Sequence, residues 1–168
     1  MLPCLISDNI SGSLYSKLII NSCITSVGAV CGLYLGQMLV KKQVRLIFLR
    51  IMEEAMAVAI AMDINVEIFA GKLNYYNFLE ESGMISSLKR HLFLLVLGFK
   101  YRKLKSSMLQ SLERKQITEI EYLTGFITEN GQKHQVPTLV NDQIFDMVRE
   151  IEQGQRAISP DNLDQIRI

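Results

Sequence analysis

A chain of 168 residues suits one domain with a sizeable core, and 49% hydrophobic with 21% charged residues places it among globular rather than disordered sequences. A net charge of +1 supplies no general field for a polyanion, which argues against nucleic acid as a partner. Cys4, Cys23 and Cys31 are odd in number and form no CxxC pair, so they point to neither a disulfide framework nor a zinc site and read as reduced thiols of a cytoplasmic protein.

In chain order, the opening MLPCLISDNI has no basic stretch leading into an apolar one, so no secretory signal is expected and Asn9-Ile10-Ser11 fits the glycosylation pattern by chance. Asp8 or Asn9 can cap a first helix that runs to about Val40, with a break near the glycines as an alternative. Its segment from Leu18 to Val40 carries no charge and reaches the length of a membrane span. Asn21, Ser22, Thr25, Ser26 and Gln37 inside it favour instead a core helix covered on all sides. Gly28, Gly32 and Gly36 recur every fourth residue, which would stack them on one helix face suited to close helix contact. A second helix is predicted over 44–62 from the spacing of Ile47, Ile51, Ala55 and Val58. A short helical piece over 74–81 and a helix from Ser86 to about Leu97 follow. Lys100, Arg102, Lys103 and Lys105 form a basic run that reads as a solvated turn. Ser106 or Ser107 then caps a short helix to Lys115. Thr118 with Glu121 makes a capping-box pattern for a helix to about His134, and Pro137 opens a last long helix that Gly154 stops. Residues 154–168 read as a polar tail outside an ordered core of about 5–153. No window alternates as a strand does, so the fold class is all-α, a multi-helix bundle.

No G-x-G-x-x-G or G-x-x-x-x-G-K-[ST] occurs, so the chain shows no loop able to cradle a pyrophosphate. Lys17 is the only charge between Asp8 and Lys41, with Asn21 one turn further on the same face and Thr25 continuing it. A lysine beside apolar surface loses solvation and becomes a better proton donor near neutral pH if a carboxylate fixes it. The plainer reading is a lysine that extends to solvent at a helix end. Glu119 is the candidate carboxylate, although an acid in a first helical turn is stabilised by the helix dipole whatever its function. Ser107 is a candidate ligand or an N-cap. His91 and His134 lack partners at metal-ligand spacing, and no metal is expected.

Two stretches, D-N-I-S-G-S-L-Y-S-K-L-I-I-N at 8–21 and S-S-M-L-Q-S-L-E-R-K-Q-I-T-E-I-E-Y-L-T-G at 106–125, resemble the signature segments of the ketopantoate reductase (2-dehydropantoate 2-reductase) family in its C-terminal domain. Arg50-Ile51-Met52-Glu53-Glu54-Ala55 and the V-P-T-L-V-N of 136–141 are similar in kind and position, so the resemblance covers about residues 5–153. It implies a helical domain related to the 6-phosphogluconate dehydrogenase C-terminal domain, preceded in the full-length enzyme by a Rossmann domain that binds NADPH and is not in this sequence. It further implies that Lys17 protonates the alkoxide formed on hydride transfer to a 2-oxo acid and that Glu119 engages that lysine. Asn21 is implied to contact the substrate and Ser107 to bind its carboxylate. The isolated chain is then expected to be inactive, and a homodimer is compatible with the family. Two departures bear on the substrate: Thr25-Ser26-Val27-Gly28-Ala29 stands where the family pattern reads N-P-L-T-A, and Leu35 stands where an asparagine precedes glycine. A non-catalytic helical module that associates through the glycine face is the alternative from a different class, in solution or at a membrane.

Overall fold

A computed structural model of the chain describes residues 8–80 and 83–168. Cys4, the start of the ordered core at residue 5 and the helix end at Glu81 lie outside the described residues. The fold is all-helical, with helices α1 (Ile10–Asn21), α2 (Val27–Cys31), α3 (Leu35–Val40), α4 (Lys42–Ala61), α5 (Tyr75–Glu80), α6 (Met84–Lys100), α7 (Ser107–Glu113), α8 (Thr124–His134) and α9 (Leu139–Glu152). Three short stretches differ in winding: a π-turn over Ser22–Ser26 and 3₁₀ turns over Ile120–Tyr122 and Pro160–Gln165.

Helix α4 forms the centre of the core. Val44, Ile47, Phe48, Ile51, Met52, Ala55, Val58 and Ala59 are all buried, while Arg50 and Glu53 pair on the outer side. Helix α1 is fixed against it by Tyr15, whose hydroxyl donates to Ala55 O at 2.8 Å, and Tyr75 of α5 donates to Ser16 O at 2.8 Å. Cys23 and Cys31 are buried in this core, and burial pushes both thiols up from their ordinary range, which makes them fillers rather than nucleophiles.

The long apolar segment divides. Asn9 caps α1 by accepting from Gly12 N at 3.0 Å, and α1, the π-turn and α2 form one rod as far as Cys31. There the backbone turns left-handed at Gly32, with φ +71°, a conformation that glycine adopts without strain. Gly36 falls in α3, a separate helix lying against Arg102, and Gly28 faces Ser106 within the same chain. The expected three-glycine face therefore does not exist, and the association module built on it loses its motivating observation. By length and composition Ile10–Cys31 could cross a membrane, at 22 residues and a mean hydropathy of 1.3, but 72% of that apolar stretch is buried by the other helices.

Three further expectations need correcting. The helix foreseen from Thr118 is a 3₁₀ turn followed by α8, because Thr118 is already engaged: its N–H donates to Glu152 Oε1 at 2.8 Å and its hydroxyl accepts from Ile120 N. Glu121 pairs with Arg149 instead of closing a capping box. Pro137 does not open α9, which starts at Leu139 after the cap residue Thr138. Residues 154–168 are part of the fold rather than a loose tail. Ser159 N and Asn162 Nδ2 both donate to Val30 O, the kind of carbonyl that a helix end leaves unpaired, and Leu163 and Ile166 are buried. Arg156 holds the segment through Glu150 Oε2 at 2.5 Å, Asn162 Oδ1 at 3.0 Å and Gln165 Oε1 at 2.8 Å.

The basic run faces solvent, with Lys100 at the end of α6 rather than in the turn and with Arg102 and Lys103 exposed in the turn beyond it. His91 on α6 accepts from Arg45 Nε at 3.2 Å. Burial first, then the charges of Arg45, Lys42 and Arg90, hold its imidazole below the ordinary 6.5. The unfolded chain therefore takes up this proton more readily. The contribution to stability is complete above pH 6.5 and shrinks as pH falls through the interval between the unfolded and folded values. Thermal melts from about pH 7 to about pH 5.5 are expected to fall more steeply for the native chain than for His91→Gln. Equal slopes for the two proteins would remove this account of the histidine.

Candidate functional site

Segments that carry candidate residues attach at the π-turn. A π-turn admits one more residue per hydrogen-bonded ring than an α-turn and occurs frequently at functional sites. In an uninterrupted α-helix, Thr25 would lie about 80° around the axis from Lys17, eight residues earlier. The wider turn over 22–26 takes much of that rotation back, so Lys17, Asn21 and Thr25 follow one side of the rod. The hydroxyl of Thr25 donates to Asn21 O at 2.8 Å.

Two distant segments attach to adjacent residues of this turn. Ser106 Oγ donates to Thr25 O at 3.1 Å while accepting from Leu109 N at 2.9 Å, so Ser106 caps α7 and ties it to the rod. Gly28 permits the approach, since a Cβ there would lie 2.8 Å from Ser106 Cβ. Ser26 and Thr124 share a hydrogen bond of 2.8 Å between their hydroxyls, which fixes the start of α8 at the same turn. Tyr15 and Phe126 reinforce it with an edge-to-face contact at 6.3 Å.

Each predicted site residue can now be placed. Lys17 is exposed on α1 and enters no ion pair among the described residues. Asn21 is half-buried, one turn on, and among the described residues its carboxamide has no hydrogen-bond partner. Ser107 is exposed at the first position of α7; the capping role considered for it belongs to Ser106, which leaves the Ser107 hydroxyl facing solvent. Glu119 is exposed at the entry to the 3₁₀ turn, five residues before Thr124. Three segments thus meet at the π-turn, but no ion pair or hydrogen bond joins Lys17 to Glu119. Ser106, named with Ser107 as a cap, and Thr25, named on the face of Lys17, are positioning residues, and Thr124 is a third that the sequence pattern did not single out. The Ser106-Ser107 pair carried the signal, because only one of two adjacent serines can be the cap.

The side of α1 that carries Lys17 is also apolar and uncovered. Ile10 and Leu14 are each 61% exposed at the spacing that leads to Lys17 and Asn21. Ile117 and Tyr122, flanking Glu119, are 90% and 80% exposed.

Comparison with known proteins agrees with this architecture. The family model described as "Ketopantoate reductase PanE/ApbA C terminal" matches residues 9–152. A 2-dehydropantoate 2-reductase from Archaeoglobus fulgidus is 40% identical over 50 residues, which are 30% of this chain and 17% of that protein. The corresponding enzyme from Vibrio cholerae is 33% identical over 49 residues, 29% of this chain and 17% of its own. Among solved structures, a PanE/ApbA family ketopantoate reductase from Ralstonia eutropha superposes with a TM-score of 0.70 at 26% identity, covering 90% of this chain and 44% of that one. D-mandelate dehydrogenase solved with NADH and anilino(oxo)acetate superposes with a TM-score of 0.71 over 93% of this chain and 45% of its own. At 20% identity the latter shows the shared fold alone. The chain thus spans less than half the length of the proteins it resembles. With 9–152 matched and the helical bundle in place, this chain belongs to the ketopantoate reductase family and corresponds to its C-terminal domain.

Proposed function

We propose that this chain is the substrate-binding half of an NADPH-dependent reductase of a small 2-oxo acid, with Lys17 as proton donor, Glu119 as the acid that engages it, and Asn21 and Ser107 as substrate contacts. The observation that carries the proposal is the convergence on the π-turn: the segments bearing all four residues are hydrogen-bonded to Thr25 and Ser26 or continue directly from them. The uncovered apolar residues Ile10 and Leu14 support a second wall contributed by a nucleotide-binding half.

The described residues contain no strand running through a glycine-rich turn into a helix, so they do not fit a dinucleotide pyrophosphate, and the cofactor belongs to that other half. Bound there, it supplies the hydride. The part of this chain is to hold the carbonyl oxygen against Lys17 Nζ, which gives up its proton as charge develops on that oxygen. The Ser107 hydroxyl and the Asn21 carboxamide orient the substrate by hydrogen bonds to its polar groups. Closure of the second wall would remove Lys17 and Glu119 from water and bring them to the distance at which they interact.

The identity of the acid is a further question. The Thr25 hydroxyl is taken up by Asn21 O, and Leu35 is buried in the core with its N–H on Leu104 O at 3.0 Å. Neither supplies an amide to a substrate hydroxyl, and a site without that partner discriminates weakly for ketopantoate over simpler 2-oxo acids. The test is NADPH oxidation by a protein that joins this chain to its nucleotide-binding half, with ketopantoate and a panel of simpler 2-oxo acids. Turnover is expected with at least one acid, and none from the 168-residue chain alone. A joined protein inert toward the whole panel would overturn the proposal.

A further inference from the structure

The backbone around Glu119 is tied on both sides while its carboxylate is left open. Thr118 N donates to Glu152 Oε1 at 2.8 Å, and the Thr118 hydroxyl accepts from Ile120 N at 3.2 Å. Glu119 O accepts from Tyr122 N at 3.0 Å and from Leu123 N at 3.2 Å, and the Ile120 side chain is fully buried in the core. Arg149 Nη1 lies 3.3 Å from Glu121 Oε1 and 3.3 Å from Glu152 Oε2. The residue before Glu119 and the second residue after it are therefore both held by the last turn of α9. Among the described residues the Glu119 side chain itself enters no hydrogen bond or ion pair.

We infer that Glu152 is a positioning residue of the proposed site, which fixes the segment that presents Glu119 to the substrate and acts on the reaction through Glu119. The inference rests on the role given to Glu119 above. Glu152 is the last residue of α9, where the helix dipole disfavours an acid, so the stability of α9 does not account for it. Its side chain is only 11% exposed, and a carboxylate withdrawn from water needs hydrogen bonds and an opposite charge in compensation. Thr118 N supplies the first, and Arg149, the guanidinium that also holds Glu121, supplies the second. The carboxylate thus joins the end of α9 to a turn 34 residues earlier in the chain. What this join leaves unpaired is the one acid that the site is proposed to use. A group held in place before the substrate arrives needs no ordering during the reaction, and a misplacement of about 1 Å can cost about 10²-fold in rate.

A double-mutant cycle in the protein joined to its nucleotide-binding half tests it. Glu152→Ala is expected to lower kcat by about 10–10²-fold with KM little changed. Glu152→Gln, whose amide oxygen still accepts from Thr118 N, is expected to keep most of the native rate. In a Glu119→Ala background Glu152→Ala is expected to cause no further loss, because the acid through which it acts is already gone. An equal loss with and without Glu119 would overturn the inference and leave Glu152 a purely structural residue. So would a native rate in Glu152→Ala, or a glutamine variant as slow as the alanine one. A second readout needs no turnover. In the 168-residue chain alone, Glu152→Ala is expected to strip Ile120, Tyr122 and Leu123 of protection from amide hydrogen exchange while α1 and α4 keep theirs. Unchanged protection at those three amides overturns the inference whatever the joined protein does. A joined protein inert toward every acid, with the exchange effect present, counts against the reductase reading and not against the anchoring of Glu119. Should the alanine variant fail to fold, Glu152→Gln carries the test, and a loss of rate or protection there overturns the inference.

Discussion

Replacing Lys17 with alanine, in a protein that joins this chain to its nucleotide-binding half, is expected to lower kcat by about 10²–10⁴-fold, the range that a positioned general acid contributes. The location of Lys17 makes the experiment clean. The residue is exposed on α1 and has no ion pair among the described residues, and substitutions of that kind change stability by about 0.5 kcal/mol or less. A loss of turnover could not then be ascribed to unfolding. Lys17→Arg separates proton donation from charge, since a guanidinium keeps the positive charge but does not release its proton at any ordinary pH. Activity is expected to stay low in the arginine variant, with the loss in kcat larger than any change in KM. An alanine variant that turns over at the native rate would reject the role given to Lys17, whatever the substrate.

Glu54→Ala is expected to destabilise the chain by about 3 kcal/mol, because it removes three hydrogen bonds to a buried carboxylate at once. Glu54, on α4, is 8% exposed and reaches the start of α9. Its Oε1 accepts from Val140 N at 2.9 Å, and its Oε2 accepts from Asn141 N at 3.0 Å and Asn141 Nδ2 at 2.7 Å. Helix α9 has no side-chain cap from its own N-terminal residue, since the Thr138 hydroxyl donates to Asp142. Glu54 therefore does the capping across 86 residues of sequence, with the helix dipole favouring its charge. Alanine leaves two backbone N–H groups and the Asn141 carboxamide without this partner, and a loss near 3 kcal/mol corresponds to roughly 6–12 °C in Tm for a domain of this size. A Tm within about 2 °C of the native value would show that water or a shift of α9 replaces the carboxylate.

Helix identity was legible wherever burial is one-sided. Ile47, Ile51, Ala55 and Val58 on α4, and Val140, Ile144, Met147 and Val148 on α9, announce their helices because each face meets the core. Legibility failed where backbone geometry or distant partners decide. The left-handed turn at Gly32 leaves no mark in hydropathy, and the glycine spacing around it suggested a face that this turn destroys. Thr118 and Glu121 had the spacing of a cap, but their hydrogen-bonding groups were claimed by Glu152, Ile120 and Arg149, which no local window contains. The candidate site divides in the same way. Lys17 and Asn21 one turn apart follow from helical periodicity, whereas the relation of Ser107 and Glu119 to them came from family likeness alone. Contacts such as Ser106 to Thr25, 81 residues apart, and Ser26 to Thr124, 98 apart, cannot be read from composition.

The final fifteen residues alter where this domain should be considered to stop. Family likeness ends at residue 152, yet Ser159 and Asn162 seal the end of α2, and Ile158 covers Gly32, where a Cβ would come within 2.9 Å of it. The range that the family model matches is therefore shorter than the unit that folds. Trimming the chain at residue 152 would open the far end of the same rod that presents Lys17 at its other end.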